Sequence, residues 1–416
     1  MIPTAFLVAA CFWLCLAGVC YAYVGYPLII CCLARWFGRR SQAEPLSDEE
    51  LPVLSLLIAA YNEEAVIDER VRNALALDYP ADKLEIVVAC DGCSDATAAI
   101  VERYAHRGVR LLDYPQRRGK ATVLNDTFRV LNGDIVMLSD ANTNTDASAA
   151  RKLVRWFRDP MVGVVCGRLV LTDPKTGHNV DSLYWKYETF LKRYEGRLGA
   201  LLGTNGAIYA IRREQFQPIP ANTILDDLVI PLRARLQSNC AIIYDAQAIA
   251  YEETPADVRD EFRRRSRIGA GGFQSIGLLG KLLNPRRGWI AFTFLSHKVL
   301  RWLCPFLLVG MLLSSMLLSQ DSFYAGLLLA QGAFYTLALM LSWVPGQPRA
   351  IKPLRLTTMF TSMNAALLMG FWLWASGGQK AAWRRTARLS VMVEAVQPLT
   401  APAERASKSY AHSSVA

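Results

Sequence analysis

Several short acidic, amide and basic clusters stand at points where an apolar run stops. Val136–Ser139 is apolar or small and gives way to Asp140-Ala141-Asn142. A carboxylate and an amide oxygen one residue apart at a strand end suit a hard divalent cation, Mg2+ or Mn2+, that also holds phosphate. Val53–Ala59 ends similarly at Ala60-Tyr61-Asn62-Glu63, which could hold a base or ribose, or could simply start a helix with Asn62 as its cap. Leu84–Cys90 ends at Asp91-Gly92-Cys93-Ser94-Asp95. One residue there can cap the next helix, which leaves Asp91 over for a ligand. Arg117-Arg118-Gly119-Lys120 offers cations and free backbone amides to a diphosphate. Asp226-Asp227 opens a helix; one carboxylate can cap it and the other is available as a general base. Arg263-Arg264-Arg265-Ser266-Arg267 can clamp a pyrophosphate or face anionic headgroups.

These clusters need elements to hold them. Buried strands at Val53–Ala59, Leu84–Cys90, Val109–Asp113 and Asp134–Ser139 alternate with helices ending near Leu77, Ala105 and Leu131. That alternation, with short loops, predicts an α/β, Rossmann-like doubly wound sheet. Ligands of such sheets sit outside the carboxyl ends of the strands, where the clusters lie. Further on, Val162–Thr172 reads as a strand at the sheet's edge, Asn179–Arg197 as a helix, and Ala207–Ile211 as a strand opened by Gly203-Thr204-Asn205-Gly206. Ala241–Tyr244 and Ala248–Tyr251 read as two short strands, Asp257–Ala270 as a basic helix, and Phe273–Leu283 as a separate helix on the membrane surface.

The composition calls for a membrane. The chain has 416 residues, 52% of them hydrophobic. Ala5–Ala34, Trp302–Gln320, Ser322–Pro348 and Leu356–Gln379 contain no charged residue. Each approaches or exceeds the ~20 apolar residues that cross a hydrocarbon core. The first has no basic residue before it and Arg35, Arg39 and Arg40 after it, so it reads as an anchor with the following segment cytosolic. The expected layout is a transmembrane helix (1–38), a linker (39–50), a cytosolic α/β domain (51–272), interfacial helices (273–300), C-terminal spans (301–379) and a basic tail (380–416). One conflict follows. Three C-terminal spans put the tail outside, whereas Lys380, Arg384, Arg385 and Arg388 place it inside and Arg349, Lys352 and Arg355 hold the preceding loop inside. Either Leu356–Gln379 re-enters or Trp289–Gln320 holds more than one membrane segment. The ten cysteines form no zinc pattern beyond Cys90-x-x-Cys93. The net charge of +10 fits a protein beside anionic lipid, without the aromatic and basic patterning of a nucleic-acid binder.

In this order the clusters resemble the membrane-embedded family 2 glycosyltransferases of GT-A fold, a group that includes cellulose, hyaluronan and poly-N-acetylglucosamine synthases and ceramide glucosyltransferases. The resemblance covers about residues 50–275 and the flanking spans. It implies that Ala60, Tyr61 and Glu63 contact the nucleotide, Asp91 the uracil and Lys120 the diphosphate. Asp140 and Asn142 stand at the metal-binding Asp-x-Asp. Gly203, Thr204 and Asn205 fall on the acceptor side. Asp227, beside Asp226, falls where Thr-Glu-Asp carries the catalytic base. Arg264, Arg267 and Ile268 fall on the Gln-x-x-Arg-Trp motif. Asn142 departs from the second metal aspartate, Arg264 from Gln, and Ile268 from the Trp that stacks on the acceptor sugar of polymerising members. The implied activity is inverting transfer from a nucleotide sugar, with UDP the default, to a growing exopolysaccharide at a bacterial inner membrane. An export partner or a homo-oligomer would complete the channel. The rivals are transfer of a single sugar to a membrane lipid and a nucleotide-sugar-binding protein without activity.

Overall fold

The computed structural model describes residues 4–39, 42–172, 183–253, 258–343 and 354–378. Arg349, Lys352, Lys380, Arg384, Arg385, Arg388 and the tail from 380 lie outside the described residues.

One sheet of eight strands forms the centre: β1 (Leu54–Ala60), β2 (Leu84–Asp91), β3 (Val109–Tyr114), β4 (Ile135–Asp140), β5 (Thr143–Thr145), β6 (Val162–Thr172), β7 (Tyr209–Arg212) and β8 (Ala241–Glu253), in the spatial order β3-β2-β1-β4-β7-β6-β8-β5. The first four are mutually parallel, and β7 runs antiparallel to both β4 and β6. Every residue of β1 is buried, as expected of a central strand covered on both faces. Because side chains alternate, Leu56 and Ile58 join one apolar core while Leu57 and Ala59 join the other. The second core also takes in Tyr26, Ile30, Phe273 and Phe294, so the sheet is continuous with the apolar helices beside it.

Three expectations are corrected. β6 is interior, flanked by β7 and β8; the edges are β3 and β5. The two short strands after Ala241 are one strand, β8, whose register against β6 shifts between Cys166 and Arg168. Gly167 permits this, since a Cβ there would stand 2.8 Å from the Ala248 carbonyl oxygen. The basic helix and the apolar segment after it are one helix, Val258–Leu279, and Phe273, Ser275 and Leu279 are buried in the protein.

Among the described residues, four helices are long and apolar enough to cross a membrane: Thr4–Trp36, Trp289–Leu317, Ser322–Ser342 and Leu356–Ala375. The second starts at Trp289, not Trp302, and is a single helical stretch, which removes one of the two ways of reconciling the tail's charge with the span count. It packs along the first, with Gly18 against Leu307 and Gly310 against Cys15. Each of the two contains a π-helical turn, Tyr21–Gly25 and Phe294–Val299, and the turns meet where Tyr21 Oη lies 2.9 Å from Ser296 Oγ.

Helix Arg355–Ala375 crosses helix Val258–Leu279 backbone to backbone. A Cβ on Gly370 would lie 2.6 Å from the Ser266 carbonyl oxygen and 2.7 Å from the Ala270 nitrogen. Small residues allow such an approach between apolar helices. Gly370→Val should therefore push the two helices apart and destabilise the protein by about 1–3 kcal/mol, read as a lower midpoint of thermal unfolding in detergent. Gly332→Val, whose Cβ would meet nothing within 4 Å, should leave the midpoint unchanged.

Candidate active site

The carboxyl ends of β1 and β4, the start of helix Asp226–Ser238 and the basic part of helix Val258–Leu279 border one cleft of about 1270 Å³. Asp140 ends β4, as its apolar run predicts. Lys120 opens helix Lys120–Thr127, and its Nζ lies 2.9 Å from Asp140 Oδ1 and 3.1 Å from Asp226 Oδ2. Burial works against this ammonium charge, but Asp140 and Asp226 outweigh it and hold Lys120 protonated well above the usual lysine range.

Asp226 and Asp227 form the first turn of their helix, where the dipole favours acids. The Asp227 carbonyl oxygen accepts the Thr204 backbone N–H and hydroxyl, both at 2.9 Å. Gly203, at φ 80°, sets that turn, and a Cβ there would reach within 3.0 Å of Leu228. Asn205 is fixed by a 2.7 Å bond from its Nδ2 to the Gly167 carbonyl oxygen. Burial, then the neighbouring Asp226 charge, raises the Asp227 carboxyl above the ordinary aspartate range.

Tyr61 and Glu63 line the cleft, with the Arg117 guanidinium 3.8 Å above the Tyr61 ring, while Ala60 is buried at the end of β1. Asp91 is placed differently from the expectation. It is fully buried, and its two oxygens accept the Arg118 and Gly119 backbone N–H groups at 2.7 and 2.8 Å. It shapes the basic loop that leads to Lys120 and is not among the residues bordering the cleft. Gly92, at φ 65°, makes the approach possible, since a Cβ would fall 2.5 Å from the Arg117 nitrogen. Arg264, Arg267 and Ile268 line the opposite wall, and Arg264 Nη1 lies 3.5 Å from Glu261 Oε2.

Asn142 also borders the cleft, and its Nδ2 donates to Glu252 Oε1 at 3.1 Å. Glu252, on β8, is a cleft carboxylate that the sequence reading missed, because β8 reaches this point only through sheet pairing with β5. Among the described residues no group of three or more His, Cys, Asp or Glu is gathered as a metal site. Asp140, Asn142 and Glu252 border the cleft with hard oxygens, the donor type a divalent cation takes alongside phosphate and water.

The sequence reading missed a second set entirely. Lys192, Glu188, His297, Lys298 and Arg301 line the end of the cleft next to the apolar helices. His297 Nδ1 lies 2.6 Å from Glu195 Oε1, which also accepts the Tyr26 hydroxyl at 2.6 Å. Arg301 Nη1 donates to Glu188 Oε1 at 2.5 Å. Burial alone would raise the Glu188 carboxyl, but Arg301 and Lys298 hold it well below the usual range. Three of these residues lie inside the stretch Trp289–Leu317, yet in sequence they look like the polar flank of a span beginning at Trp302.

The chain is similar to several known proteins. A family model described as glycosyl transferase family 2 matches residues 55–217. Poly-beta-1,6-N-acetyl-D-glucosamine synthase of Staphylococcus aureus (strain COL) is 27% identical over 239 residues, 54% of this chain and 56% of that protein. The probable glycosyltransferase YdaM of Bacillus subtilis (strain 168) is 29% identical over 238 residues, with the same coverage of 54% and 56%. The chain thus spans about half the length of these curated relatives. Among solved structures, mannosyltransferase PcManGT from Pyrobaculum calidifontis, in complex with GDP-Man and Mn2+, aligns with a TM-score of 0.67 and 23% identity, covering 89% of this chain and 100% of that one. At that identity the likeness establishes the fold.

Two predictions follow from the charges. Lys120→Met leaves Asp140 and Asp226 facing each other without their cation. It should cost about 2–4 kcal/mol, somewhat less than a fully enclosed pair, because these side chains keep some exposure. Denaturation of parent and variant at pH 7 would reveal the loss. A base role for Asp227 would need its ionised form, and its pKa is raised, so such a role predicts that activity falls on acidification with a midpoint above the ~3.9 of an ordinary aspartate. The acid limb of a pH–rate profile reads this directly.

Proposed function

We propose that the chain is a family 2 glycosyltransferase, transferring a sugar, with inversion, from a nucleoside-diphospho sugar to a hydroxyl presented at the membrane. The observation that carries this reading is the cleft itself. It is lined by Asp140, Lys120 and Asp227 together with Trp302, Met363, Leu367 and Leu373 of helices apolar enough to span a membrane.

Asp227 is the general base in this reading. Buried and raised, it takes the proton of the acceptor hydroxyl as that oxygen attacks the anomeric carbon. Gly203 and Thr204 hold the turn that aims it, and Asn205 faces the acceptor. Lys120, Arg264 and Arg267 receive the negative charge that grows on the departing diphosphate. Tyr61 and Glu63 meet the nucleoside, and Asp91 acts by holding the Arg118–Gly119 amides in place. Asp140, Asn142 and Glu252 would hold a divalent cation, which would supply further charge to the diphosphate. The default donor is a UDP-sugar, as the family resemblance implies.

The acceptor we infer is a growing exopolysaccharide, in line with relatives named as poly-beta-1,6-N-acetyl-D-glucosamine synthases. Ile268 favours a second reading, a single transfer to a membrane lipid, because polymerising members of the resembled family carry an aromatic residue there. Both readings place the protein in a bacterial inner membrane with the cleft on the cytosolic side. An export partner or a second copy would complete a channel only in the first.

Asp227→Asn separates binding from chemistry. It should lower kcat by a factor on the order of 10² to 10⁴ while leaving nucleotide affinity within a few-fold of the parent. Turnover at the parent rate would remove Asp227 from the role of base.

A further inference from the structure

We propose that the membrane-side end of the cleft is a seat for a phosphate ester carried by an amphiphilic molecule, with Lys298 as its principal ligand. This rests on the transfer reading in its second form, in which the acceptor is a membrane lipid.

The argument begins with charge. Lys298 lies within a helix apolar enough to cross a membrane, where an ionisable side chain is costly and rarely kept without a partner or a task. Its two ionisable neighbours on that helix are matched: Arg301 with Glu188, and His297 with Glu195. Lys298 is not. It makes no ion pair or hydrogen bond with the described residues, although it lies in the field of Glu188 and Glu195 and lines the cleft. Lys192, across the cleft end, bonds only neutral oxygens, those of Thr204 and Asn205. Two ammonium groups therefore face one volume without a carboxylate in contact.

The surroundings specify the kind of anion. Trp302, Met363, Leu367 and Leu373 give the same volume an apolar wall. Cations on one side and hydrocarbon on the other suit a charged head on an aliphatic body better than a free inorganic ion. Lys192 also binds Asn205, the residue after Thr204, which grips the Asp227 backbone. An anion held by Lys192 and Lys298 would thus stand beside the point of transfer. The two π-helical turns, Tyr21–Gly25 and Phe294–Val299, meet at this level, and such turns inside helices recur at functional sites. The second turn contains Lys298 and sets its direction.

Binding can be measured on the full chain in neutral maltoside micelles. Dodecyl phosphate is the probe, dodecanol the neutral analogue and inorganic phosphate the free anion; UDP and GDP, with Mg2+, report the nucleotide site. Dodecyl phosphate should bind the parent protein, and dodecanol should not. Lys298→Met should weaken that binding roughly tenfold or more, and Lys298→Arg should keep it within a few-fold. The thermal midpoint of Lys298→Met should fall only slightly, because Glu188 keeps its direct contact with Arg301 and loses only the more distant Lys298 charge. Equal affinity in parent and Lys298→Met would overturn the proposal. So would inorganic phosphate binding as tightly as dodecyl phosphate, which would mark a site for a free anion. A matching loss of UDP or GDP affinity in Lys298→Met would assign the lysine to the donor and overturn it as well. If neither nucleotide bound the parent while dodecyl phosphate still depended on Lys298, the lipid seat would stand and the transfer reading would fall.

Discussion

Three aspartates, Asp140, Asp226 and Asp227, converge on one cleft, and the Lys120 ammonium is what makes that convergence tolerable. Two of them lie 2.9 and 3.1 Å from its nitrogen. The third, Asp227, feels the Asp226 charge and the loss of water and so is made more basic. The rest of the domain can be understood as holding this cation in place. Asp91 ties down the loop immediately before Lys120, and Gly92 lets that loop approach. Strand β4 delivers Asp140, and Thr204 clasps the turn that delivers Asp227. A carboxylate made basic at a strand-end cleft is a chemical resource, and the neighbouring helix brings Arg264 and Arg267 to the same cleft.

The second organising fact is that the cleft does not end in the α/β domain. Helix Leu183–Arg197 joins the sheet to the apolar helices through Glu188–Arg301 and Glu195–His297, contacts made between buried partners. Breaking such a pair one-sidedly is costly, so each ties the domain to the spans at a defined point. The same ion pairs leave Lys298 and Lys192 without carboxylate contacts, and a single volume comes to hold both the chemistry and an apolar approach.

Much of this was legible in the sequence because strands ending in polar residues announce themselves. β1 to β4 lie within one residue of where the apolar runs put them, and Asp140, Lys120, Asp226 and Asp227 meet as their positions implied. What was not legible depends on pairing. Val162–Thr172 looks like any apolar strand, and only the neighbours β7 and β8 make it interior. Glu252 reaches Asn142 only because β8 pairs with β5. Asp91 has the composition of a ligand and the surroundings of a loop anchor, a difference set by where the Arg118 and Gly119 amides fall. Lys298 and Arg301 were hidden by the rule that finds spans: a search for charge-free runs discards the charged residues that mark a site within one.

The central claim is that this cleft joins a nucleotide sugar to a membrane-held acceptor. The most direct measurement incubates the protein in nanodiscs with Mg2+ or Mn2+, radiolabelled UDP- and GDP-sugars and a total membrane-lipid extract, then follows the label by partition and chromatography. The account predicts label in an organic-soluble or polymeric product with one donor, dependent on Asp227. Label released only as free sugar, or the same product from Asp227→Asn, would contradict it.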